Sequence, residues 1–158
     1  MFTIRKKNIY FIIMLTSFFT ILSTLYIEHF LSVPACKLCL YQRVPHVLAI
    51  IICFFGIFFL NNKIWSYFLI ITFFCSIAIS GYHTGIENEI FNEFSGCTNE
   101  NLNIIDRNEL LKSLNDFSLG CKNVNFKLFG FSLATINLIL SIALMIITIK
   151  YIHNEKNT

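Results

Sequence analysis

Residues 9–27 read IYFIIMLTSFFTILSTLYI, nineteen consecutive positions without a charged side chain. A helix crosses the hydrocarbon core of a bilayer with about 20 apolar residues. The only polar members of this run are Tyr, Thr and Ser, and Thr and Ser hydroxyls can bond back to the carbonyl one turn earlier. Three further runs have the same character, at about 44–60, 64–82 and 129–151. The run at 44–60 is the weakest, with Pro45 and His46 at its start. The expected architecture is an all-α membrane protein, a four-transmembrane-helix bundle forming a single domain over 1–158. Two loops, at about 28–43 and 83–128, lie on one side. No internal repeat is present.

Composition agrees. Of 158 residues, 56% are hydrophobic and 13% charged, and the mean hydropathy is +0.68. A soluble domain carries about 25% charged residues, so an ordinary globule and a disordered chain are both excluded. Eighteen Phe against one Trp suggest lipid-facing bulk. The net charge of +3 is too mild to imply a nucleic-acid partner.

Orientation follows the Lys and Arg distribution. Arg5, Lys6, Lys7, Lys63, Lys150 and Lys156 fall on the side of the termini, and Lys37, Arg43, Arg107, Lys112, Lys122 and Lys127 on the other. The counts tie, but the first set is the denser, which puts both termini in the cytoplasm and both long loops outside. Arg5-Lys6-Lys7 before an apolar run also fits a secretory signal, with Ser32-Val33-Pro34-Ala35-Cys36 as a faint lipoprotein-like cleavage box. The run is longer than a signal core of about 7–15 residues. Glu28 and His29 also interrupt it before the cut, so a retained span is expected.

Six cysteines sort by position. Cys53 and Cys75 fall inside spans, where a thiol buried away from positive charge is an inert hydrophobe. Cys36, Cys39, Cys97 and Cys121 all fall on the outer side. Cys36-Lys37-Leu38-Cys39 has the two-residue spacing of a redox pair, and a static disulfide has the same spacing. Zinc needs four ligands, and neither a second C-x-x-C nor a paired His is present. No metal is expected.

If the second helix begins near Leu38, Cys39 lies in its first turn. There the unpaired N–H groups and the helix dipole favour a thiolate. Arg43 lies four residues on, on the same face, as a fixed positive charge. His46 follows three beyond, read as an interfacial polar residue.

Ala35-Cys36-Lys37-Leu38-Cys39-Leu40-Tyr41-Gln42-Arg43 closely resembles the C-x-L-C-x-x-[EQ]-R signature of the DsbB family. The resemblance covers the whole chain: four spans, a short outer loop with C-x-x-C and a long one with two further cysteines. Gly81-Tyr82-His83-Thr84-Gly85-Ile86-Glu87 is similar to a segment of shorter alphaproteobacterial members, and Gly130-Phe131-Ser132-Leu133-Ala134 fits too. Where those members often carry Trp in the second loop, this chain has Phe91, Phe94 and Phe126.

The resemblance implies a bacterial inner-membrane thiol oxidase that reoxidises a periplasmic thioredoxin-like DsbA-type protein and passes electrons to quinone. On that pattern the reduced partner attacks Cys97 of a Cys97–Cys121 disulfide, and Cys121 then attacks Cys36 of a Cys36–Cys39 disulfide. Cys39 is left as thiolate beside Arg43, facing quinone. His83 is a candidate quinone neighbour or proton donor, with Gln42 and Glu87 as weaker candidates. Asp106-Arg107-Asn108-Glu109 opens a short amphipathic helix in the second loop, with Leu110, Leu111, Leu114 and Phe117 on one face. That face lies on the bilayer or on the protein. Gly96 and Gly120, each before a cysteine, allow close approach. The alternatives are a family member serving one dedicated partner, a tetraspan scaffold with static loop disulfides, and an enzyme like vitamin-K-epoxide reductase.

Overall fold

The structure is a computed structural model and describes residues 2–33, 35–59, 63–92, 121, 127–128 and 130–156. Four long helices make up nearly all of it: α1 Phe2–Phe30, α2 Lys37–Phe58, α3 Ile64–Glu87 and α4 Leu133–Lys156. Each contains a segment long and apolar enough to cross a membrane, so the chain is a multi-pass membrane protein built as a four-helix bundle. Cys97, Gly96, Gly120 and the amphipathic helix expected from Asp106 lie outside the described residues.

The helices overrun their apolar runs where it matters for function. α2 begins at Lys37, well before the hydrophobic stretch, because Lys, Leu, Gln and Arg are good helix formers and Cys36 caps the helix. It passes through Pro45, which has no N–H to offer the Tyr41 carbonyl. α3 continues past Tyr82 to Glu87. Both extensions carry polar side chains to the same end of the bundle.

Successive helices pack as neighbours, α1 on α2, α2 on α3 and α3 on α4. The ring closes where Tyr10 of α1 meets Tyr151 of α4 edge-on at 6.1 Å. The core at this end holds Tyr10, Ile13, Ala49, Cys53, Leu69, Phe73 and Leu144. Gly56 is what lets α2 approach: a Cβ there would meet the Tyr10 ring at 2.9 Å. The Tyr10 hydroxyl is in turn held 2.7 Å from Ser66 Oγ.

Away from water, burying apolar area gains little when lipid is equally apolar, so helices associate through small residues and hydrogen bonds. Ser17, Ser76, Ser80, Ser141 and Thr148 are all buried, with Ser76 and Ser141 bonded across α3 and α4 at 2.8 Å. Thr16, Thr20, Ser23 and Thr24 bond back to their own helix. Among the described Phe side chains only Phe73 is buried. The remaining rings form the outer surface, where hydrocarbon accepts them. Cys53 is buried in the core, but Cys75 is exposed on the outer face of α3. The expectation of two buried thiols is thus corrected for Cys75, which faces outward beside the exposed Phe74.

A two-stranded hairpin precedes α4: β1 Lys127–Leu128 pairs antiparallel with β2 Phe131–Ser132. Gly130, at φ 86, takes the left-handed turn position that side chains avoid. The hairpin delivers Ser132 to the start of α4, where its Oγ accepts the Thr135 N–H at 3.1 Å, an N-cap.

Candidate dithiol active site

Cys36 is the N-cap of α2, with extended backbone at φ −69 and ψ 165. Its sulfur takes the place a Ser or Asp oxygen usually takes and accepts the Cys39 backbone N–H at 3.2 Å. The two-residue spacing therefore sets Cys39 in the first turn, and the sulfurs lie 2.7 Å apart as free thiols. This alters one expectation. The helix start favours a thiolate on Cys36, not on Cys39, because the capping sulfur sits beyond the helix end, in line with the exposed N–H groups.

The Cys36 thiol is drawn from an ordinary 9.0 down to about 5. The Cys39 thiol that donates to it is the largest cause. Burial opposes the shift, and the His83 ring adds to it by hydrogen bond. A sulfur ionised at neutral pH is the attacking form in disulfide exchange.

His83 reaches this sulfur from the last turns of α3, with Nε2 3.7 Å from Cys36 Sγ. Its Nδ1 lies 3.0 Å from Gln42 Nε2. Glu87, one turn on, sits 3.7 Å from His83 Nε2 and accepts the Ser132 hydroxyl. His46, expected as an interfacial polar residue, is packed inside the bundle. It is 2% exposed, and its Nε2 lies 2.7 Å from Asn137 Oδ1. This face of α2 meets α4 at Asn137, and a buried imidazole needs a partner.

Arg43 lines the same cavity as Cys39. It pairs with Glu28 of α1 at 2.6 Å, while its Nε, buried, makes no hydrogen bond. Cys121 is disulfide-bonded and 2% exposed. It packs in one cluster with Cys36, Leu38 and Ile86, and Cys39 lies against that cluster. The second loop thus contributes a sulfur to the C-x-x-C neighbourhood.

These groups line a cavity of about 290 Å³. Cys36, Cys39, Gln42, Arg43, His83, Glu87 and Cys121 form its polar wall, and Ile21, Ile27, Leu133 and Leu140 its apolar one. Cys36, Cys39 and His83 bring three donor atoms within 4.8 Å of one another, one short of the four that close a structural zinc site. Sequence reasoning missed Asn137 and Glu28. Asn137 carried a signal, since a lone amide within an apolar span needs a partner, and Glu28 stands directly after the first apolar run.

The family model for disulfide bond formation protein DsbB matches the chain over residues 6–150. No curated protein and no solved structure matches it.

Proposed function

The chain belongs to the DsbB family, and on that premise we propose that it is a quinone-dependent thiol oxidase of the bacterial inner membrane, acting on a periplasmic DsbA-type dithiol. Both termini face the cytoplasm and both cysteine-bearing loops the periplasm. The observation that carries the reading is the Cys36 sulfur, capped by the Cys39 N–H, faced by His83 and packed with disulfide-bonded Cys121. A scaffold with static disulfides has no use for a stabilised thiolate.

In the proposed exchange, a partner thiolate attacks Cys97 and releases Cys121. Cys121 attacks Cys36 of the oxidised pair, and Cys39 leaves as thiolate. The negative charge that Cys36 holds in the fully reduced pair then rests on Cys39, on the cavity wall it shares with Arg43. The partner's second thiolate then displaces Cys97 and leaves the partner as a disulfide, Cys97 re-forms its bond to Cys121 and releases Cys36 as thiolate, and closing the Cys36–Cys39 disulfide again gives up two electrons. When bound, quinone supplies the acceptor for two electrons and two protons.

The residues present fit such a group. A quinone ring needs an apolar slot and donors for its oxygens. The cavity has the apolar wall, and the buried Arg43 Nε is a donor without a hydrogen-bond partner, a costly arrangement unless something accepts from it. His83 and Gln42 are the nearest further polar groups, with His83 placed to hold or release a proton beside Cys36.

The test is turnover of the purified protein with a reduced DsbA-type protein and a short-chain quinone, following both partner oxidation and quinone reduction. One partner disulfide should form per quinone reduced. Partner oxidation that proceeds equally without quinone, or fails with it, refutes the proposal.

A further inference from the structure

A line of buried polar side chains runs from the cavity sulfur into the bundle, and thiol exchange alone gives no reason for its far end. His46 Nε2 lies 2.7 Å from Asn137 Oδ1. Asn137 Nδ2 lies 3.3 Å from Gln42 Oε1. Gln42 Nε2 lies 3.0 Å from His83 Nδ1, and His83 Nε2 lies 3.7 Å from Cys36 Sγ. The atoms fix the sense of three links: His46 donates to Asn137, Asn137 to Gln42, and Gln42 to His83; a neutral His83 that accepts at Nδ1 then donates from Nε2 to the sulfur.

That sense is not arbitrary. Neutral imidazole donates from one nitrogen and accepts at the other, and an amide does the same through its two ends. Reversing one link therefore reverses all of them. In the reversed chain His46 Nε2 would accept and its proton would move to Nδ1, which is buried without a partner. An orphaned buried N–H is rarer in proteins than an under-satisfied acceptor, so His46 selects the sense that aims every donor at Cys36. Links aligned this way polarise one another and strengthen the last one.

We propose that His46 and Asn137 are positioning residues: through Gln42 they fix His83 in the tautomer that turns its Nε2–H to Cys36, and so keep that sulfur a thiolate. The other groups around this sulfur cannot replace them. Cys39 donates from the same helix turn. Glu87 and the Cys121 backbone carbonyl are acceptors near the ring, and Arg43 is engaged by Glu28. None of these donates to His83 Nδ1. The inference rests on the thiol-oxidase reading only for its effect on turnover, since the thiolate exists without quinone.

The experiment uses reduced, quinone-free, full-length protein in detergent. Iodoacetamide labelling of Cys36, resolved by mass spectrometry, is followed against pH. The wild-type midpoint should fall below 9.0, the ordinary thiol value. His46→Met keeps bulk and Asn137→Leu keeps shape, and each removes the donor. Each should raise the midpoint by about one unit, the scale on which a single hydrogen bond to a charged group acts. His46→Gln, which can still donate, should hold it near the wild-type value. An unchanged midpoint in folded His46→Met and Asn137→Leu overturns the proposal.

If those variants do not fold, ¹⁵N spectra of the wild-type histidines decide. A His83 protonated at Nε2 and bare at Nδ1 supports the proposal, and the opposite tautomer or a doubly protonated ring refutes it. Quinone turnover is measured on the same preparations. A shifted midpoint in a protein that reduces no quinone supports the hydrogen-bond line and removes the quinone reading.

Discussion

Arg43 of α2 and Glu28 of α1 close a 2.6 Å ion pair on the wall of the sulfur cavity. Both side chains are mostly shielded, at 18% and 29% exposed, so the pair ties the end of α1 to the first turns of α2 while leaving the buried Arg43 Nε unengaged. One residue thus has a structural end and an end free for a ligand.

The two roles separate in a double-mutant cycle. Arg43→Ala should lower the melting temperature, because it strands a shielded carboxylate, and should raise the KM for quinone about tenfold or more, the worth of a hydrogen bond to a charged group. Adding Glu28→Ala should recover much of the melting temperature and none of the KM. If the double variant recovered both, Arg43 would act on quinone only by holding the helices.

The Cys36 shift has a pH signature in stability. A thiol whose folded value is near 5 against 9.0 unfolded stabilises the reduced fold fully above the unfolded value, and the gain is lost as pH falls through about 5. The melting-temperature gap between reduced wild type and Cys36→Ser should therefore widen from pH 4.5 to pH 8. A gap independent of pH in that window would mean that Cys36 carries no special charge.

The spans were legible because hydrocarbon imposes one demand, about 20 apolar residues in a row, and this chain meets it four times. The C-x-x-C was legible because its spacing is its chemistry. Which sulfur holds the charge was not: the sequence places the helix start near Leu38, within one residue of where α2 begins, but it does not reveal that the Cys36 sulfur itself caps the helix or that His83 arrives from α3 to face it. Asn137 was overlooked for a similar reason. One amide inside an apolar run lowers the average only slightly, and its meaning depends on Gln42 and His46 arriving from another helix.

Gly56 should behave as a packing residue only. Any Cβ there meets the Tyr10 ring at 2.9 Å, and that ring is pinned by Ser66 and edged by Tyr151. Gly56→Val should cost about 1–3 kcal/mol, the usual range for an overpacked core. Turnover per folded molecule at the far end of the bundle should stay the same. A drop in turnover at unchanged stability would show coupling between the two ends.

The six cysteines make the broadest prediction. Serine at Cys36, Cys39, Cys97 or Cys121 should each abolish turnover, since a hydroxyl cannot form the exchanged bond. Serine at Cys53 or Cys75 should preserve it, but at different cost. Cys53 is fully enclosed in the core with Tyr10, Leu69 and Phe73, where a new hydroxyl must find a partner. A helix carbonyl one turn back can supply one, which holds the loss to about 1–2 kcal/mol. Cys75 is exposed on the outer face, so its substitution changes no packed contact and should leave the melting temperature nearly unmoved. Turnover and thermal stability, measured on the six single variants in one detergent, check both halves. A dead Cys75→Ser protein with wild-type stability would place a working sulfur on the lipid-facing side and break the division between the four exchanging thiols and the two inert ones.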